Sequence, residues 1–345
     1  MNRLLLRSML LALFLGLISS PVFATSLSAQ QVLEQFNLVV LGDATSTSHV
    51  DGRTYVGGSL TGGIFLQHPN DTPASAYAGL TVQGSASGVM VNNYGAVIGG
   101  NLTSSTINSG DTVVLGTASG DSFNGGGQYY AGVVGSSNSN GTYNAALKNG
   151  TAATAATSTD FASVLNDLSG QLKALVSTGS YVTIEGTKAT FNAVVDANGV
   201  AVFTVTDSSI FTGTINEYAF NLNDATTVII NSAATEVLTS ANFLGGSAQA
   251  IGAKTLWNFY DATTITLNSQ FGGSILATKA KLTNGNNIEG GVYVNTLDQK
   301  GEIHLQSFTG TIPEPTTTPV PEPTTMLLFG TGLAGLAGID KRKKS

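Results

Sequence analysis

The chain of 345 residues has no cysteine, a single tryptophan and only 10% charged residues. The missing cysteine excludes disulfides and thiol chemistry. The scarcity of charge excludes a solvated coiled coil or a charge-rich disordered chain. Basic residues are fewest where they would matter for nucleic acid. Residues 25–322 hold eight bases against twenty acids, a net charge of −12, and no basic patch for phosphate is visible. What the chain does have is apolar material (42%), 42 glycines without a three-residue period, and 43 threonines. Threonine with Val, Ile, Phe and Tyr favours strands, and Gly with Asn, Asp and Ser supplies tight corners. The composition predicts an all-β protein with many turns.

Both ends read as addresses. Arg3 and Arg7 precede the apolar stretch Met9 to Ile18, and Val22-Phe23-Ala24 is a small-residue cleavage site, which predicts a signal peptide over residues 1–24 cut between Ala24 and Thr25. At the other end a Pro/Thr-rich linker (residues 311–323) leads into an apolar segment and basic tail (residues 324–345). The apolar run Met326 to Ile339 would span only about 21 Å as a helix, short for a permanent anchor, and Lys341 to Lys344 would hold its end on the cytoplasmic side.

Pro321-Glu322-Pro323, the short Gly-rich apolar segment and the terminal basic cluster together resemble the PEP-CTERM sorting signal. The resemblance implies handling by an exosortase, a membrane protease-transpeptidase of Gram-negative bacteria that make exopolysaccharide. It also implies passage through the inner membrane to the cell surface or extracellular matrix.

Between the ends the sequence repeats itself. Tyr55-Val56-Gly57-Gly58-Ser59-Leu60-Thr61 recurs 42 residues later as Val97-Ile98-Gly99-Gly100-Asn101-Leu102-Thr103. A shift of 17 places Ile265 on Leu282, Thr266 on Thr283, Phe271 on Ile288, Gly273 on Gly290 and Ile275 on Val292. That register predicts a β-solenoid of about 17 residues per coil over residues 25–310, since a single coil cannot bury its own apolar face. A β-sandwich is the alternative. Expected strands are Asn37–Leu41, Val182–Ile184, Val200–Val205, Thr227–Ile230, Thr263–Leu267, Ser274–Ala277, Gly291–Val294 and Glu302–Leu305. Two helices interrupt them: a short one after the capping box Ser28-Ala29-Gln30-Gln31, and a long amphipathic one from Asp160 with Phe161, Val164, Leu165, Leu168, Leu172 and Leu175 on one face. The long helix is expected along the flank of a single solenoid rather than as a joint between two domains.

Phe36 to Asp43, Ser48 to Gly58 and the segments Gly273 to Ala277, Ile288 to Val292 and Glu302 to Gly310 resemble the choice-of-anchor A domain. This family of exported bacterial surface proteins implies an adhesive role and no enzymatic activity. Asn258 to Ala277 is more loosely similar to the last coils of β-helical ice-binding proteins.

Catalytic signatures are missing: there is no G-x-S-x-G, H-E-x-x-H, P-loop or dinucleotide fingerprint. No catalytic, cofactor or metal residue is therefore assigned. Asp43, His49 and Asp51, with Arg53 beyond, leave room for a weak metal site. His68 reads as a loop residue, and His304 as an outward strand position rather than a ligand. For ice binding, Thr266 meets Thr283 but Thr264 meets Lys281, so the T-x-T register is expected to fail after one coil. The sequence thus points to a non-enzymatic exported protein whose partners are an exosortase and an exopolysaccharide or other surface glycan. An ice- or crystal-binding solenoid and a polysaccharide-degrading β-helix are the alternatives.

Overall fold

A computed structural model describes residues 25–313. Its strands form one 25-stranded sheet of parallel neighbours and a second sheet of four strands, the β-solenoid expected. The Leu38–Val40, Thr54–Val56, Leu80–Val82, Ala96–Ile98 and Thr112–Val114 segments stack rung on rung, with Leu38 on Thr54, Thr54 on Leu80, Leu80 on Ala96 and Ala96 on Thr112. Coils of 16 residues are mixed with longer ones. The 42-residue repeat is one coil of 26 residues followed by one of 16, and the 17-residue shift is the pairing of Ile265 with Leu282 and Ile275 with Val292. Glycine at the repeated corners is dictated by stacking, because a Cβ on Gly57 would lie 2.3 Å from the Leu41 carbonyl oxygen and one on Gly99 2.1 Å from that of Gln83.

The order of coils is not the order of the chain. Leu38 pairs with Thr54 on one side and with Val292 on the other, and Val50 pairs with Ile303. The first coil among the described residues therefore lies in the middle of the stack, which extends from it both ways. The chain winds outward to Ser139–Tyr143, returns along the flank, and resumes at Val200–Val205 at the opposite end. From there it winds back through Thr227–Ser232, Thr255–Phe259 and Ser274–Asn284 to close against its own first coil.

The short coils are filled mainly by Leu, Val, Ile and Ala, with Phe123, Tyr129 and Phe271 among them, whereas the coils of 27 residues that begin at Val200 and Thr227 enclose a wider section where the aromatics Phe191, Phe203, Phe211, Tyr218, Phe243 and Trp257 gather. Trp257 donates its indole N–H to the Gly272 carbonyl at 2.8 Å, so its one polar atom is satisfied inside.

One face of the stack is buried on both sides. α1 (Ala29–Gln35) carries the expected capping box between Ser28 and Gln31. α2 (Thr151–Ala155) covers Val97 and Val113. α3 (Phe161–Lys173), capped by Asp160, lies along the flank with Phe161, Leu165, Leu168 and Leu172 against Val202, Ile229, Leu256 and Leu276. Strands covered on both sides read as unbroken apolar runs such as Leu38-Val39-Val40. Buried hydrogen bonds lock α3 in place: the Ser169 hydroxyl donates to Asn258 Oδ1 at 2.7 Å, and Asn231 Nδ2 donates to the Leu172 carbonyl at 2.7 Å. α4 (Ser247–Gly252) packs over Phe271–Gly272.

One expected strand takes another place. Val182–Ile184 lies within Tyr181–Glu185, which forms an antiparallel hairpin with Lys188–Asn192 in the four-stranded sheet rather than a parallel rung. Gly186 at φ +59° turns the chain back on itself too tightly for a coil corner.

Candidate functional site

The face next to the helix-covered one alternates, with one side inward and the other in solvent. Ala44, Leu60, Ala86, Leu102 and Ala118 point into the core, and Thr45, Thr61, Ser87, Thr103 and Ser119 point outward in register. Because the first coil stacks on the last, this column continues from Thr45 to Asp298, Thr283 and Thr266. Thr264 meets Lys281, as the sequence suggested, but the failure of register after one coil does not extend to the neighbouring column. From Thr266 to Ser119 the column holds an aligned hydroxyl on seven of eight rungs, with Asp298 as the exception, and on the rung beyond Thr266 it gives way to Leu238. At strand spacing it spans roughly 33 Å.

The parallel column two residues earlier spends its side chains on the backbone. Asp43 Oδ1 accepts from the Ser59 N–H at 2.7 Å, Ser85 Oγ from Asn101 N–H at 3.0 Å, and Asn101 Oδ1 from Thr117 N–H at 2.8 Å. At another corner Asn92, Asn108, Asn124 and Asn140 form an amide ladder with contacts of 2.7–3.2 Å. Both devices fix coil spacing and hold the outward face regular. The Asn spacing of 16 was in the sequence, and would have revealed the short coils had it been read beside the period of 17.

The four residues grouped by sequence separate. Asp43 belongs to the corner column. Arg53 is buried and turns to backbone carbonyls, donating to Gln35 at 3.2 Å, Pro73 at 2.8 Å, and Tyr77 and Ala78 at 3.2 Å each. Desolvation lowers its pKa to about 10. His49 and Asp51 remain together, with His49 Nε2 3.6 Å from Asp51 Oδ1.

Across the seam they meet His304 and Glu302. His304 alternates with buried Ile303 as expected, yet it does not face open solvent. Its Nδ1 lies 2.7 Å from Glu289 Oε1 and its Nε2 2.8 Å from Glu302 Oε2. Burial opposes its charged form, but the hydrogen bonds to Glu302 and Glu289 and the charges of Glu289 and Asp51 outweigh it, leaving the pKa raised. The hydrogen bond to His304 holds Glu302 below the usual carboxylate range. His68, in the loop before Tyr77, brings Nε2 to 3.8 Å from Asp51 Oδ1, so all three histidines of the chain gather at this seam. Sequence distance concealed this, since His49 and His304 lie at opposite ends of the body.

The fold is a parallel solenoid that presents one ordered polar face. The chain belongs to the family described as "Putative Ice-binding-like adhesive domain", whose model matches residues 29–305. This is an adhesive family rather than an enzyme class, and the match covers the segments that carry the choice-of-anchor A resemblance up to residue 305. The PEP-CTERM protein-sorting motif matches residues 319–343. That motif marks an exported, surface-directed protein and implies processing by an exosortase. No curated protein and no solved structure matches. Pro321, Glu322 and Pro323 and the leader up to Ala24 lie outside the described residues. Among the described residues no helix is long and apolar enough to cross a membrane.

Proposed function

We propose that the protein is a non-catalytic adhesin of the cell surface or extracellular matrix that lays its ordered hydroxyl face along an exopolysaccharide or another surface glycan. The observation that carries this reading is the outward column from Thr266 to Ser119, continuous across the seam between the two ends of the chain. Hydroxyls both donate and accept, and an extended saccharide presents the complementary pattern along its length. In this reading export uses residues 1–24, cleaved between Ala24 and Thr25. The apolar segment then holds the chain briefly in the inner membrane of a Gram-negative bacterium until an exosortase acts near Pro321-Glu322-Pro323.

The test replaces Thr61 and Thr103, both within the column, by arginine. The double variant is expected to keep its melting temperature and to lose binding to exopolysaccharide from the producing cells by at least about ten-fold in co-sedimentation, the cost of roughly 1.4 kcal/mol. Undiminished binding by a folded variant would remove the face from the reading.

A second reading, ice binding, is favoured by the regular strand spacing of the same column. Lys281 and Asp298 interrupt the surface with charge, which makes it the weaker one. Thermal hysteresis by the full chain would promote it over the glycan.

A further inference from the structure

We infer that His49, Glu302 and His304 form a binding site for a divalent transition-metal ion of the zinc class, fastening the first coil of the solenoid to the last. Each residue offers one ligand atom, and these atoms lie within 4.8 Å of one another. Around tetrahedral zinc, with bonds of about 2.0–2.1 Å, ligand atoms sit about 3.3 Å apart. The Glu302 carboxylate brackets that spacing, with His49 Nδ1 3.7 Å from Oε1 and His304 Nε2 2.8 Å from Oε2. The two imidazole rings stand nearly parallel, tilted by 27°, with centroids 6.5 Å apart.

Behind each imidazole stands a buried carboxylate. Glu289 is held by Gln270 Nε2 at 2.8 Å and accepts from His304 Nδ1, which leaves His304 Nε2 for the ion. Asp51 stands in the same relation to His49: with Nδ1 on the ion, the Nε2 hydrogen points toward Asp51 Oδ1. A carboxylate that orients a histidine and strengthens it as a ligand is the usual outer shell of a metal site.

Asp51 supplies the independent observation. Its side chain is only 6% exposed, and Oδ1 is buried without a hydrogen-bond partner. At 3.6 Å from His49 and 3.8 Å from His68 it is too far for a hydrogen bond to either. An uncompensated buried carboxylate oxygen is costly, and a small contraction of His49 onto an ion and Asp51 together removes that cost. Asp51, Glu289 and Glu302 also pair with no lysine or arginine among the described residues; the side chains beside them are the three histidines. Two imidazoles and one carboxylate suit zinc, cobalt or nickel, whereas calcium requires six to eight oxygens.

The test uses the full chain without a histidine tag, stripped with EDTA and titrated with zinc by calorimetry, with cobalt absorption as a spectroscopic readout of imidazole coordination. One tight site per chain and a rise in melting temperature reversed by EDTA are expected. His49→Ala and Glu302→Gln should weaken binding at least about ten-fold, and His68→Ala should leave it intact. His304→Ala is the less decisive variant because it also strands Glu289. Absence of binding at millimolar zinc, or binding that His49→Ala and Glu302→Gln leave unchanged, overturns the site.

Discussion

Asp121 shows how a single buried group in the solenoid wall couples stability to pH. Its Oδ1 accepts from the Ser105 N–H at 2.9 Å, while Oδ2 is buried without a partner. Burial raises its pKa to about 6 against the opposing hydrogen bonds from Ser105 and Ser119. The folded state therefore holds the proton through a window in which the unfolded chain has lost it. Asp121 favours folding most below its unfolded pKa of 3.8, and this contribution is lost as pH rises to about 6. Asp121→Asn is expected to raise stability at pH above that window by on the order of 1 kcal/mol and to converge with the parent below it. Paired thermal melts across the range read the difference, and a constant offset at every pH would contradict the assignment.

Among elements, α3 carries the largest burden. It returns the chain from one end of the stack to the other and seals the outer side of the apolar face with Phe161, Leu165, Leu168 and Leu172. Its existence and its buried stripe were legible, because apolar residues at helical spacing after Asp160 admit little else. Its partners were not, since Ile229, Leu256 and Leu276 come from separate coils. Leu168→Ala is expected to cost about 3 kcal/mol, measured by denaturant unfolding. A cost under about 1 kcal/mol would mean that the helix is only loosely docked. The strand at Tyr181–Glu185 was legible but its sheet was not: its β propensity is plain, and propensity does not say which sheet a strand joins.

For the whole molecule the decisive feature is that the N-terminal coil lies inside the stack. In a linear solenoid a terminal coil can be trimmed with only the loss of one interface. Here residues 38–50 make rungs on both sides, with Thr54–Val56 above and Val292–Val294 below. Deletion of residues 25–51 is expected to abolish cooperative folding, seen as the loss of a sigmoidal melt by circular dichroism. Survival of such a melt would show that the two half-stacks fold independently. The same closure assembles the candidate sites, since the hydroxyl column crosses it at Thr45 and Asp298 and the histidine cluster joins His49 to His304.

The sequence by itself determined the local terms: strands and corners from Thr, Val and Gly, coil repeats at 42 and 17, the caps at Ser28 and Asp160, and the sorting motif. These depend on neighbours or on fixed periods, so one-dimensional spacing records them. Only the tertiary structure decided that the last coil stacks beneath the first. It thereby placed Thr266 and Thr283 in line with Thr45 and Thr61, and brought His49 to Glu302 and His304. Backbone hydrogen bonds between parallel rungs carry no residue code, so nothing in the order of residues states which two coils meet.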